Sequence, residues 1–185
     1  KTTRSDYLVD AQLFTGTFDN CIFDGDDIYN TIGIFAGACS FTNCRIQDCY
    51  IGIKSEEENN ILSVTVHHCT FYNIGDTAIL GLPIGIYNNI FYMTLATGQP
   101  FSCGTYNTNG PILDESNCGW SAAGALTTYS MTGPGDVNVD PGFKDVANGD
   151  FTPTNHSLVL PGQGTMGARR MIQSGPHVGG KLICT

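Results

Sequence analysis

Carboxylates, imidazoles and thiols are the groups in this chain whose types and spacing could do chemistry. Asp24, Asp26 and Asp27 crowd together, and carboxylates at alternate positions can share a Ca²⁺ ion or act as the acid and base of glycosidic cleavage. His67 and His68 adjoin Cys69, where an imidazole could be a metal ligand or a general base. The commoner use of both groups is structural, as turn formers and as hydrogen-bonded histidines. Asp24, Asp26, Asp27 and His67 are therefore catalytic candidates only, and Ca²⁺ is the single cofactor they leave open. No other metal is expected, because Cys39, Cys44 and Cys49 match no C-x-x-C zinc spacing. The run Glu56, Glu57 and Glu58 lies beside Asn59 and Asn60 and reads as a solvated loop tip.

The elements that must position these groups come from a short internal repeat. It occurs as FDNCIF at Phe18 to Phe23, FTNCRI at Phe41 to Ile46, VHHCTF at Val66 to Phe71 and IYNNIF at Ile86 to Phe91. Its fourth positions, Cys21, Cys44, Cys69 and Asn89, are 23, 25 and 20 residues apart, a spacing that suits one solenoid coil per repeat. Three positions earlier stand Phe18, Phe41, Val66 and Ile86, and two later stand Phe23, Ile46, Phe71 and Phe91. Both columns are apolar and point inward, while the columns between them are polar, the period of two of strands with one wet face.

Asn20, Asn43, His68 and Asn88 precede the anchors. These types are enriched in the left-handed backbone region, which marks a tight bend. Cys21, Cys44, Cys69 and Asn89 then form an interior ladder, with the small polarizable thiols stacked on one another.

One polar column, three past the anchor, reads Asp24, Gln47, Tyr72 and Tyr92, with Tyr87 on a nearby one. Aromatic area beside amides and carboxylates suits either a sugar ring or a protein partner. Arg45 reads as a surface residue. Cys103 and Cys118 bracket a Gly, Asn and Pro-rich stretch, where a disulfide would restrain a loose excursion; two unpaired thiols are the alternative. The sequon Asn155-His156-Ser157 matters only on a eukaryotic secretory route.

The 185 residues carry 8 Lys and Arg against 17 Asp and Glu, a net charge of −9, the wrong sign for tracking phosphates. Nucleic acid is not an expected partner. The longest apolar run, Ile32 to Cys39, is far short of the ~20 residues of a membrane helix, so no membrane insertion is expected. With 14% charged residues and 23 Gly, composition favours a turn-rich all-β chain over a helical one.

Residues 14 to 93 resemble right-handed parallel β-helix proteins, the class of pectate-lyase-like enzymes, phage tailspikes and secreted β-helix repeat proteins. Asp140, Pro141, Phe143, Gly149, Asp150, Phe151, Ser157, Gly167 and Ala168 match the closing segment of many secreted members, although Leu158 stands where their Pro would follow Ser157. The acidic Ca²⁺ cluster with a nearby basic residue that this resemblance implies for a lyase has no counterpart around Arg45.

These observations predict an all-β, right-handed parallel β-helix of about four coils with an irregular C-terminal cap. Residues 1–93 form the coils, 94–133 an irregular excursion, and 134–185 the closing segment. The expected function is a non-catalytic structural or adhesion module on a cell exterior, cell surface or virion, packed with copies of itself or neighbouring subunits and touching polysaccharide. A polysaccharide lyase or glycoside hydrolase is the first alternative; a secreted glycan-binding domain of a larger protein is the second.

Overall fold

The computed structural model describes residues 7–11, 15–55, 64–81, 83–102, 113–127, 133–160, 164–168 and 181–184. The side chains of residues 26–32, Asp26 and Asp27 among them, lie outside that description, as do Cys103 and the Glu56 to Glu58 run. Strands in chain order are β1 (Tyr7–Ala11), β2 (Gly16–Asp19), β3 (Cys21–Ala36), β4 (Cys39–Thr42), β5 (Arg45–Ser55), β6 (Val64–His67), β7 (Thr70–Ile74), β8 (Thr77–Leu80), β9 (Pro83–Tyr87), β10 (Ile90–Met93), β11 (Gln99–Ser102), β12 (Leu113–Glu115), β13 (Cys118–Ser121), β14 (Phe143–Asp145), β15 (Asp150–Pro153), β16 (Val159–Leu160), β17 (Gly164–Thr165) and β18 (Lys181–Cys184).

Strands β1 to β13 stack as the parallel sheets of a β-solenoid of about three turns, against the expected four coils. Cys21, Cys44, Cys69, Asn89 and Asn117 stand at successive levels of the stack. One wall is β2, β4, β6, β9 and β12 in parallel register, with Phe18, Phe41, Val66 and Ile86 aligned. The second wall is the first halves of β3 and β5 with β7, β10 and β13, and the third is β1, the second halves of β3 and β5, β8 and β11.

The corner between the first two walls is cut by a residue in left-handed conformation at every level: Asn20, Asn43, His68, Asn88 and Ser116, with φ between 52° and 59°. Asn and His tolerate this region better than branched residues do, which explains the polar residue before each anchor. Asp48 and Asn73, with φ 53° and 54°, turn the next corner, and there Asn73 Nδ2 donates to Asp48 Oδ1 at 2.6 Å. Inside, Phe23, Ile46, Phe71 and Phe91 are fully buried beside Phe41, Val66 and Ile86.

Two features depart from expectation. Residues 94–133 are not wholly irregular, because β11, β12 and β13 extend all three walls. The C-terminal part also does more than close the far end. Residues 137–160 and 164–168 fold back as a strap on the outside of the second wall, where Leu158 and Met166 bury against Ile90 and Cys118. β18 then pairs antiparallel with β3, setting Cys184 opposite Cys21. The first edge of that wall is thus covered by β18.

Candidate functional site

The strap decides which polar columns reach solvent. Positions one and three past the anchors would face water on an uncovered wall, and instead they lie under it. Arg45 is only 2% exposed, contrary to its reading as a surface residue. Its Nη1 donates to the Gly149 carbonyl at 3.0 Å, and its guanidinium lies 4.4 Å from the centre of the Phe151 ring. Desolvation pushes its pKa down to about 10, opposed by the carboxylates of Asp24 and Asp48; the side chain is buried as a cation at neutral pH.

Asp24, aligned with Gln47, is 1% exposed. A carboxylate at that depth is not part of an exposed face, which corrects its reading as a glycan or partner surface residue. Gln47 is buried too, and its Nε2 donates to Asp48 Oδ2 at 3.1 Å. Tyr72 and Tyr92 stack at 5.2 Å but are half-covered by the strap: Phe151 meets Tyr72 edge-on at 4.8 Å, and Phe143 lies 5.8 Å from Tyr92. The proposed glycan column is therefore largely an internal docking surface for Phe143 and Phe151, which lie 51 to 79 residues downstream of the two tyrosines in the sequence.

The thiols also differ from expectation. Cys118 is a free, buried thiol, so the Cys103–Cys118 bridge is not formed. Its Sγ donates to the Val139 carbonyl at 3.2 Å, and desolvation pushes its pKa up to about 12. Cys118 belongs to the wall and not to a loop, which is why it sits beneath the strap. Cys39, Cys44, Cys49 and Cys69 are likewise buried thiols, whereas Cys21 is disulfide-bonded.

The anchors form a continuous chain of acceptors. Cys69 Sγ accepts the Cys44 backbone N–H at 3.4 Å, Asn89 Oδ1 accepts that of Cys69 at 2.8 Å, and Asn117 Oδ1 accepts that of Asn89 at 3.0 Å. Asp136 Oδ1 closes the series on the Asn117 N–H at 2.6 Å. Asn117 and Asp136 escaped the sequence reading; the Ser-Asn pair at 116–117 was their only signal, since Asp114 breaks the apolar column.

The outer face of the first wall remains open among the described residues. Thr17, Asp19 and Glu115 are exposed there, and Ser40, Thr42, Thr65, His67 and Tyr87 are half-buried. The structure brings His67 and Tyr87 together, their rings stacked at 5.0 Å and 11°. Thr42 Oγ1 lies 2.7 Å from His67 Nε2. Burial pushes the His67 imidazole pKa down, opposed by the Asp19 carboxylate. Stacking consumes one face of each ring, leaving the ring edges and the flanking hydroxyls for contact.

Among the described residues no group of three or more His, Cys, Asp or Glu side chains is placed to hold a metal ion, and no helix is long and apolar enough to cross a membrane. No protein-family model matches this chain, and no curated protein or solved structure does.

Proposed function

We propose that this chain is a structural or adhesion module of a cell exterior or virion surface, of the parallel β-helix kind its sequence resembles. In this reading it packs with copies of itself or with neighbouring subunits and meets glycans at the open outer face of its first wall. The observation that carries the proposal is how the polar columns are used. Asp24, Arg45 and Gln47 are buried, and Tyr72 and Tyr92 are engaged by Phe143 and Phe151, so these groups serve internal packing and not a reaction. The disulfide at Cys21 supports an oxidising compartment. Among the described residues β2 ends its wall with a partner on one side only, β4, and an open strand edge is a template for association.

The test is incubation with a panel of neutral and acidic polysaccharides, with and without Ca²⁺. We expect retention on at least one glycan, weakened by Tyr87→Ala, and no new chain ends. Depolymerisation that disappears in Asp24→Asn would overturn the proposal in favour of a lyase or hydrolase.

A further inference from the structure

Consecutive residues of a strand point to opposite faces, so adjacent histidines ordinarily cannot act on one ligand. His67 and His68 are an exception made by the backbone. His68 is the corner residue of its level, at φ 54°, and this bend brings its ring beside that of its neighbour. The two Nδ1 atoms are 3.5 Å apart, and the rings lie at 77° with centroids 5.7 Å apart, so they approach without stacking.

The distance discriminates between uses. The 3.5 Å between the two nitrogens is at the long limit of a hydrogen bond, past the about 2.7–3.2 Å of a well-formed N–H···O one. Two Zn–N bonds of about 2.0–2.1 Å at the tetrahedral angle place their nitrogens about 3.3–3.4 Å apart, whereas a square-planar right angle would need about 2.9 Å. The observed separation is that of a tetrahedral bite, within a small side-chain adjustment.

A second observation concerns the other nitrogen of His67. Thr42 Oγ1 is 2.7 Å from Nε2. With that oxygen accepting the Nε2–H proton, Nδ1 of His67 keeps its lone pair, and an outer hydrogen bond that fixes ring and tautomer is the usual companion of a metal-bound imidazole. Both histidines are half-exposed, so an ion and its remaining water ligands can reach them.

We infer that His67 and His68 form a two-imidazole clip for a tetrahedral divalent transition-metal ion of the zinc type, oriented by Thr42, with solvent or a ligand from outside completing the shell. The experiment is calorimetric titration of chelator-treated protein with Zn²⁺ alone, comparing wild type with His68→Asn and Thr42→Val. Asn occupies the equivalent corner at positions 20, 43 and 88, so His68→Asn should keep the fold, checked by an unchanged Tm. We expect His68→Asn to lose one equivalent of Zn²⁺ or to bind it at least tenfold more weakly, and Thr42→Val, which retains both ligands, to weaken it by about tenfold. Equal stoichiometry and affinity in wild type and folded His68→Asn, or no Zn²⁺ uptake by wild type, would overturn the inference.

Discussion

Asn89 Oδ1 accepts the backbone N–H of Cys69 at 2.8 Å while Asn89 Nδ2 donates to the Val66 carbonyl at 2.9 Å. One side chain thus satisfies two buried backbone groups of the level below it. The thiol of Cys69 reaches the level beneath only through longer contacts, accepting the Cys44 N–H at 3.4 Å and donating to the Phe41 carbonyl at 3.6 Å. The ladder therefore strengthens toward its amide end, and the two kinds of rung should differ in cost. Asn89→Ala strands the Cys69 N–H and the Val66 carbonyl, at about 1–3 kcal/mol for each unsatisfied buried group. Cys69→Ala should cost clearly less. Urea denaturation of the two variants checks the order, and a Cys69→Ala loss equal to or larger than that of Asn89→Ala would contradict it.

Arg45 should behave as a buried cation. Arg45→Met removes the bond to Gly149 and the charge that faces Asp24, and a loss of about 3–5 kcal/mol is expected. Adding Asp24→Leu should recover much of it, because the buried carboxylate that faced the guanidinium goes too. A surface arginine would give a change of about 0.5 kcal/mol or less by the same denaturation measurement.

The thiols provide a chemical check. With its pKa near 12, Cys118 is protonated at pH 8 and shielded by the strap, and only thiolates alkylate quickly. Iodoacetamide should leave Cys118 unmodified in the native protein and label it after unfolding without reductant. A Cys103–Cys118 crosslinked peptide in non-reducing peptide maps would refute the arrangement.

Close approach of the walls sets a further limit. A Cβ on Gly52 would lie 2.6 Å from the backbone oxygen of Ala78 and 3.0 Å from Phe71. Since that oxygen belongs to the ladder of the next level, Gly52→Ala should cost about 1–3 kcal/mol. Thermal unfolding measures it, and an unchanged Tm would mean that the levels are farther apart than described.

The inward columns were legible in the sequence because burial imposes a strict alternation on every level, and the observed register aligns Phe18, Phe41, Val66 and Ile86 as superposition of the repeats requires. The bends were legible for a local reason, the left-handed preference of Asn. Arg45 and Asp24 were misjudged because their burial comes from residues far along the chain. Gly149 and Phe151 lie more than a hundred residues beyond Arg45, and a polar column that will be covered has the same composition as one that stays wet. The return of β18 to β3 has no periodic signal at all; four residues pairing antiparallel at one edge leave nothing to superpose. Thr42 and His67 escaped notice as a pair because their contact joins two adjacent levels, each of which is unremarkable alone.

Association is the most direct test of the structural-module account. Among the described residues β2 pairs with β4 alone, and the strap covers much of the outside of the second wall, so the account predicts that light scattering of purified protein, with electron microscopy of the same sample, finds a defined oligomer or fibre. A monomer persisting at high micromolar concentration would contradict it.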